Sequence, residues 1–342
     1  MIRSYQGMSR VIGVILVSLV SMAFFFSAVE TACTQPVVKW KVATHRPDED
    51  DATKYLKTIK ANVEKRTNGK FTWTLYTGPG LGGWEDIFAG LIAGDVELAY
   101  IPFDAGYDPR FQVLYTPFLT TGWEGAFAMY RREGWLNQAY AKIAKLYGLM
   151  PLGWGMIGPC AIDTRNKQVK SIDDLKGLKI RVATFPVMMD TWNAWGAIGT
   201  PMPRAELYTA LQTGVVDGEE NCAYTVWMFT KDVQKYYTNL HHTYEALPSI
   251  VNLKAWNSLP AEYQKILEEE FETMHEMLNK SARERDNIYV KKLQNEMGWT
   301  ITTLTPEQRK PFIDKARALW PSFVKYLGKD LVSTMVAQAK KE

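Results

Sequence analysis

Apolar and polar residues near the start of the chain follow two different spacings. Strict alternation is typical of strands with one buried face, whereas apolar residues three and four apart lie on one face of a helix. Asn68-Gly69, a pair typical of helix ends, separates a segment with helical spacing from a segment that alternates like a strand. The resulting βαβαβ order predicts a mostly parallel sheet covered by helices. The predicted strands cover residues 37–44, 70–76 and 96–101, and the predicted helices cover 48–67 and 84–93.

A second α/β unit is predicted further along the chain. A helical stretch over 123–147 leads into a strand over 149–154, and the pattern changes at about residue 158. Short apolar runs then alternate again with helical segments, as expected for strands and their crossover helices. The predicted strands of this unit cover 178–182 and 215–216, and its helices cover 187–195 and 204–214.

The segment 260–297 has no internal Pro or Gly and carries one apolar stripe at helical spacing. A single helix of that length would span roughly 55 Å, enough to cross both units. Two helices broken near Asn279 are the alternative. The stripe consists of Tyr263, Ile266, Leu267, Phe271, Met274, Met277 and Leu278.

The first residues have the order of a secretory signal peptide. Arg3 and Arg10 precede an uncharged apolar run over 11–26, and small residues follow it. We therefore predict a signal peptide over 1–32 and export to the periplasm. The alternative is a permanent membrane anchor, since 11–28 is at the lower limit of a bilayer span. The exact cleavage site and the lipidation of Cys33 are left open.

Composition narrows the classes of function. The formal charge is +3 and basic residues form no block, which excludes a nucleic-acid partner. Three cysteines without a metal-ligand spacing exclude a zinc finger, while a Cys160–Cys222 disulfide remains compatible with the count. The surplus of Trp, Tyr and Phe indicates either an aromatic-lined cleft or large core rings.

Catalytic and cofactor motifs are weak. Gly78, Gly80 and Gly83 fit the spacing of a dinucleotide fingerprint, but Pro79 removes a backbone donor from that loop. The four histidines are too scattered for a metal set, and Glu219-Glu220 is interpreted as a charged helix face. We predict no catalytic residue, no metal and no cofactor.

Two strings carry more information. SIDDLKGLKIRV over 171–182 ends a predicted strand on Arg181, where the carboxyl end of a strand opens into a crevice. LQTGVVDGEEN over 211–221 brings Asn221 to the same edge. A guanidinium there offers two parallel N–H donors to a carboxylate, so a carboxylate-binding site is predicted around Arg181.

Both strings resemble those of the solute-binding proteins of tripartite ATP-independent periplasmic (TRAP) transporters. The resemblance extends to residues 68–103 and to VLYTPFL over 113–119. It implies a two-lobed α/β clamshell with a long helix spanning both lobes, closing on an organic acid whose carboxylate pairs with Arg181. Asn221 matches a position that helps to hold the ligand, and membrane permease subunits would receive it. The implied lobes are 33–157 with about 247–285, and 158–246 with about 286–325, followed by a helical tail over 326–342.

The resemblance also bears on the ligand. Some relatives carry a second arginine where this chain has Cys160 or Ala161. Arg181 is then the one cation predicted with a clear role in the site, and one cation neutralises one carboxylate. We therefore predict a monocarboxylate, such as a 2-hydroxy, 2-oxo or aromatic acid, in preference to a C4-dicarboxylate or a sialic acid. An exported enzyme acting on organic acids is the rival function, and the oligomeric state is left open. Further candidate ligand-binding residues are His45, Arg46, Tyr100, Phe103, Trp154, Phe185, Tyr224 and Trp227.

Overall fold

The computed structural model describes residues 37–340. Its ten strands are β1 (Val38–Ala43), β2 (Phe71–Tyr76), β3 (Leu98–Tyr100), β4 (Leu149–Thr164), β5 (Lys179–Val182), β6 (Ile198–Pro201), β7 (Gly218–Cys222), β8 (Tyr236–Asn239), β9 (Tyr244–Asn252) and β10 (Thr300–Thr303). Its helices are α1 (Asp51–Arg66), α2 (Trp84–Ala93), α3 (Trp123–Tyr130), α4 (Trp135–Lys145), α5 (Pro186–Ala194), α6 (Arg204–Thr213), α7 (Ala223–Phe229), α8 (Leu253–Asn257), α9 (Ala261–Met297), α10 (Pro306–Leu319), α11 (Val324–Leu327) and α12 (Lys329–Ala339). Short 3₁₀ turns cover Pro109–Tyr115, Ile172–Leu175 and Trp320–Phe323.

The strands form a sheet with the order β2-β1-β3-β9-β4-β7-β5-β6, and β8 pairs with both β4 and β10. β1 is parallel to β2 and β3, and β5 is parallel to β6 and β7. The parallel pairing expected from βαβ units is therefore present toward each end of the sheet. The centre differs, because β9 and β4 run antiparallel to their neighbours.

Strand β4 joins the two parallel groups. From Leu149 to Pro159 it pairs with β9, and from Cys160 to Thr164 it pairs with β7. The register with β9 shifts at Gly153 and again at Gly158. The sequence predicted only residues 149–154 of this strand, because glycines and prolines within 151–159 obscure the alternation of a strand.

Helix α9 is continuous, as the apolar stripe predicted, and the alternative with a break near Asn279 is wrong. The side chain of Asn279 binds β4 instead: its Oδ1 accepts from the Met156 N–H at 2.7 Å and its Nδ2 donates to the Trp154 carbonyl at 3.2 Å. Further along, the guanidinium of Arg285 donates to the carbonyls of Met156 and Ile157. Of the predicted stripe, only Met277 points outward.

Other predicted elements are displaced. The helix expected over 123–147 is two helices, α3 and α4. The turn between them brings Gly134 so close to α3 that a Cβ there would lie 2.4 Å from the Met129 carbonyl oxygen. The strand expected at 215–216 begins at Gly218, after Gly214 has ended α6 in a left-handed conformation. The predicted helical tail contains α12, which buries Val332 and Met335. The proposed lobe boundaries stay a prediction.

Within residues 37–340, no helix combines the length and the apolar composition that crossing a membrane requires.

Candidate functional site

A cavity of about 80 Å³ opens where several strands end. The loops after β1, β3 and β5 and the last residues of β7 reach its wall, as expected for the ligand crevice of an α/β sheet. A cavity of this volume can hold several water molecules, or a small organic molecule in their place. Residues of both predicted lobes line it: His45, Arg46, Trp84, Pro102, Tyr115, Cys160, Arg181, Ala183, Phe185, Met188, Arg204, Glu220, Asn221, Thr225, Phe229, Glu245 and Leu247.

Arg181 is a buried cation in this wall. It lies on β5 and is 7% exposed, and its Nε and Nη2 both donate to the Met202 carbonyl, at 3.1 and 2.9 Å. Among residues 37–340 it makes no ion pair. Burial, followed by the nearby charge of Arg204, lowers the pKa of Arg181 to about 10, so the side chain is still a cation at neutral pH. A buried cation in this state favours an anionic partner.

Two further guanidiniums reach the cavity, and each already has a carboxylate. Arg46 Nε lies 2.6 Å from Asp50 Oδ2, and Arg204 Nη1 lies 3.4 Å from Glu219 Oε2. Burial acts to lower the pKa of Arg46, but the charge and hydrogen bond of Asp50 outweigh burial and the pKa is raised. Both arginines stack on Phe229, at 5.2 and 4.7 Å from the ring centroid. Their Nη2 atoms are buried without a hydrogen-bond partner, so both offer donors.

Acidic side chains also lie in the wall of the cavity. Glu220 hydrogen-bonds His242 Nε2, and burial raises the pKa of Glu245. Asn221 donates from Nδ2 to Glu219 Oε2 at 3.0 Å, so Glu219 holds the amide in place. The cavity therefore combines donors for an anion with carboxylates that accept hydrogen bonds from hydroxyl groups.

His45 is neutral in this environment. Burial, with the charges of Arg46 and Arg204, lowers its pKa well below the ordinary value. Its Nδ1 is buried and has no hydrogen-bond partner. The ring therefore adds an uncharged polar edge beside the guanidiniums.

Half of the predicted site residues line the cavity, and half lie elsewhere. The five in the wall are His45, Arg46, Arg181, Phe185 and Asn221. The five outside it are Tyr100, Phe103, Trp154, Tyr224 and Trp227.

The outlying aromatic residues have structural contacts. Phe103 stacks on Phe111 at 4.6 Å, and Trp154 Nε1 donates to Asn137 Oδ1 at 2.9 Å. Trp227 is half-buried beneath Lys292, 4.9 Å from its ring centroid. The aromatic surplus thus mainly supplies core rings.

The two tyrosines outside the wall also have structural positions. Tyr100 is fully buried, and the hydroxyl of Tyr224 accepts from the Asp51 N–H at 3.0 Å.

Two charged wall residues, Glu220 and Arg204, were missed by sequence reasoning, together with the buried Glu219 that holds Asn221. Glu219 and Glu220 were interpreted as a helix face, but they lie on strand β7, with Glu219 fully buried. The pattern D-G-E-E-N after a helix-ending Gly214 is a turn followed by a strand, which was the available signal. Arg204 follows Pro203 at the first position of α6, and nothing in its local pattern distinguishes it from a solvated helix residue.

One group of side chains has the composition of a metal site. The Sγ atoms of Cys160 and Cys222 and a carboxylate oxygen of Glu245 lie within 4.8 Å of one another. Thiolates and a carboxylate are ligands that zinc accepts.

Comparisons with known proteins agree with this geometry. Residues 42–326 match bacterial extracellular solute-binding protein, family 7. The chain is 27% identical to the C4-dicarboxylate-binding periplasmic protein of Vibrio cholerae, over 98% of this chain and all of that protein. It is 30% identical to the 2,3-diketo-L-gulonate-binding periplasmic protein of Escherichia coli, over 60% of this chain and 63% of that protein.

Solved structures give the same result. A TRAP periplasmic solute-binding protein from Shewanella oneidensis with bound succinate superimposes with a TM-score of 0.80 at 27% identity, over 89% of this chain and 99% of that one. One from Haemophilus influenzae with bound L-gulonate has a TM-score of 0.80 at 26% identity, over 88% and 99%. The predicted two-lobed α/β fold with its long helix is confirmed. From its matched residues, its fold and its cleft, this chain belongs to the bacterial extracellular solute-binding proteins of family 7.

Proposed function

We propose that the protein is the extracytoplasmic receptor of a TRAP transporter, which binds a small organic acid and delivers it to membrane permease subunits. The observation that carries the proposal is Arg181, a buried cation without a carboxylate partner among the described residues, in the wall of the cavity. The names of the relatives, which include periplasmic binding proteins for sugar acids and dicarboxylates, support it. The apolar run behind Arg3 and Arg10 supports export by a signal peptide, although Met1–Pro36 lies outside the described residues.

In this proposal the ligand's carboxylate accepts two hydrogen bonds from Arg181. Charge-assisted bonds of this kind are stronger than neutral ones, and a closed cleft strengthens them by excluding water. Asn221 lies on the same wall, held by Glu219, and adds a neutral polar contact.

We further propose that the ligand is a polyhydroxy monocarboxylate. Arg46 and Arg204 already face Asp50 and Glu219, so Arg181 is the one cation of the described wall that a single carboxylate would neutralise. A second carboxylate would meet Glu220 and Glu245, whereas hydroxyl groups would donate to them. The aromatic acid considered from the sequence stays an alternative, since Trp84, Tyr115, Phe185 and Phe229 line the wall.

The rival function, an exported enzyme, needs an activated nucleophile or a cofactor. Cys160 is a thiol in the wall, but its contact with Cys222 and burial raise its pKa, which is the opposite of activation. The receptor proposal predicts that a bound acid is recovered chemically unchanged.

Calorimetric titration with a matched panel tests the ligand class. The panel contains a six-carbon sugar acid such as gulonate, the uncharged parent sugar, and succinate. We expect the sugar acid to bind at least about tenfold tighter than either of the others. Succinate binding tenfold tighter than every monocarboxylate would contradict the charge balance, and formation of a product would contradict the receptor.

A conservative variant at Glu245 sharpens this test. Glu245→Gln removes the carboxylate and keeps the shape, so we expect it to weaken sugar-acid binding and to leave succinate binding unchanged or stronger. An exposed control is Glu268→Gln on α9, whose side chain is 46% exposed and lies outside the cavity. Equal effects of Glu245→Gln on both ligands would argue against its role in distinguishing them.

A further inference from the structure

Two cysteines face each other across adjacent strands at the cavity wall. Cys160 of β4 is the direct cross-strand partner of Cys222 of β7. Their Sγ atoms are 3.3 Å apart, and both residues are buried as free thiols. Cys160 also lines the cavity, while Cys222 is completely enclosed.

The backbone geometry of this pair suits a covalent bond. The Cys160 N–H donates to the Thr243 carbonyl at 2.7 Å, and the Cys222 N–H donates to Asn221 Oδ1 at 3.2 Å, so the pair does not exchange backbone hydrogen bonds. Directly opposed residues of this kind have Cα atoms about 4.5 Å apart in an antiparallel ladder. That separation lies within the range that disulfides span without backbone movement.

We propose that Cys160 and Cys222 form a disulfide in the exported protein. The bond joins the two Sγ atoms, and both S–H bonds break. The two protons and two electrons pass by thiol–disulfide exchange to a protein disulfide oxidant of the periplasm, whose own disulfide is reduced to two thiols. This proposal rests on the export part of the proposed function, because disulfides persist in oxidising compartments.

The time of formation follows from burial. Exchange with a protein oxidant requires contact with sulfur, and in the folded chain Cys222 is completely enclosed while Cys160 is only 6% exposed. The bond therefore forms while the chain folds after export.

The cross-link has a definite place in the fold. It joins β4, directly after this strand changes partner from β9, to the end of β7 next to Asn221. It closes a loop that contains β5, β6, α5 and α6, and with them Arg181 and Arg204. The unfolded chain loses conformational freedom when such a loop is closed, so the bond stabilises the part of the protein that carries the candidate carboxylate site.

Mass spectrometry of the exported full chain tests the bond directly. The protein, carrying Cys33→Ser to remove the third cysteine, is recovered from the periplasm, denatured without reductant and treated with iodoacetamide. We expect a cross-linked peptide pair containing Cys160 and Cys222, and alkylation of both only after reduction. Alkylation of both thiols before reduction overturns the proposal.

Thermal unfolding supplies a second readout, with a double variant as its control. Wild-type protein that has been unfolded and refolded in reductant should have a Tm roughly 3–6 °C below that of the unreduced protein. The double variant Cys160→Ala/Cys222→Ala should show no response to reductant. A response of the same size in the double variant, or none in the wild type, overturns the proposal.

Two controls distinguish the disulfide from a metal site and from a failure of export. Free thiols together with one zinc ion per chain would assign Cys160, Cys222 and Glu245 to a metal site and overturn the disulfide. If the chain is not exported, purified protein is unfolded and refolded in a glutathione redox buffer. If the cross-link forms in this buffer, the disulfide is supported and only the export proposal fails. If it does not form, the disulfide proposal is overturned.

Discussion

At the scale of single residues, the proposed function depends on Arg181. Its guanidinium is buried and, among residues 37–340, donates only to the backbone carbonyl of Met202, so most of its donor capacity is left for a ligand. Removing one partner of a buried charge pair costs about 2–5 kcal/mol. Arg181→Ala should therefore weaken binding of the acid at least about thirtyfold, as measured by calorimetry.

The matched substitutions distinguish charge from geometry. Arg181→Lys keeps the charge but loses the planar pair of donors, so it should also bind poorly. Arg132→Ala, whose side chain is 84% exposed, should bind like the wild type. Affinity of Arg181→Ala within threefold of the wild type would place the site elsewhere.

Which site residues could be predicted depended on whether their local pattern has one structural meaning. Arg181 and Asn221 lie near the carboxyl ends of short strands with distinct strings, and His45 and Arg46 follow the first strand. All four were therefore expected at the crevice where the strands end. Trp154 and Phe103 look the same in sequence whether they line a cleft or fill a core. Their positions are decided by long-range packing, as in the contact of Trp154 with Asn137.

At the scale of elements, β4 and α9 hold the centre of the molecule. Gly153 lets them approach closely, since any Cβ there would lie 2.3 Å from Nδ1 of His275 on α9. Its φ of +155° is also one that other residues rarely adopt. Gly153→Ala should lower the free energy of unfolding by about 1–3 kcal/mol, measured by urea unfolding. Gly122→Ala is the control, because its Cβ would enter open space, and an equal loss there would contradict the close approach.

Asp286 on α9 makes stability depend on pH. Burial raises its pKa to about 7 against the opposing charge of Arg285, and its Oδ1 has no hydrogen-bond partner. Because the unfolded pKa is about 3.9, the folded protein binds the proton more tightly. The contribution of Asp286 to the free energy of unfolding is therefore complete below pH 4 and is lost as the pH rises toward 7.

The variant Asp286→Asn tests this dependence. It stays neutral, so it should be more stable than the wild type at pH 8, by at most about 4 kcal/mol, and nearly equal to it at pH 4. Urea unfolding at both pH values measures the difference. The exposed Asp314→Asn should show no such trend, and a wild type that gains stability from pH 4 to 7 relative to Asp286→Asn would contradict the sign.

Elements were predictable where periodicity was long and uninterrupted. Helix α9 runs for 37 residues without an internal Pro or Gly, so its continuity could be predicted. Strand β4 could not, because Gly153, Gly155 and Gly158 interrupt its alternation. Packing against α9, a contact distant in sequence, leaves no room for a Cβ at Gly153 and Gly155, and Gly158 has a φ of +154° that other residues rarely adopt.

At the scale of the whole molecule, the proposed receptor function requires the protein to close around its ligand. The cavity is lined by residues of both predicted lobes, so binding should bring the lobes together. Small-angle scattering should show a smaller radius of gyration at saturating ligand for the wild type, and no change for Arg181→Ala at the same concentration. Unchanged scattering of the wild type at saturation would argue against a clamshell.

The most direct test of the central claim is identification of the small molecule that the protein retains. Wild-type protein and Arg181→Ala are purified in parallel from the periplasm, denatured, and the released compounds are measured by mass spectrometry. We expect a compound with one carboxylate and several hydroxyl groups, released in stoichiometric amount by the wild type and largely absent from Arg181→Ala. A released compound without an acidic group, or equal amounts from both proteins, would contradict it.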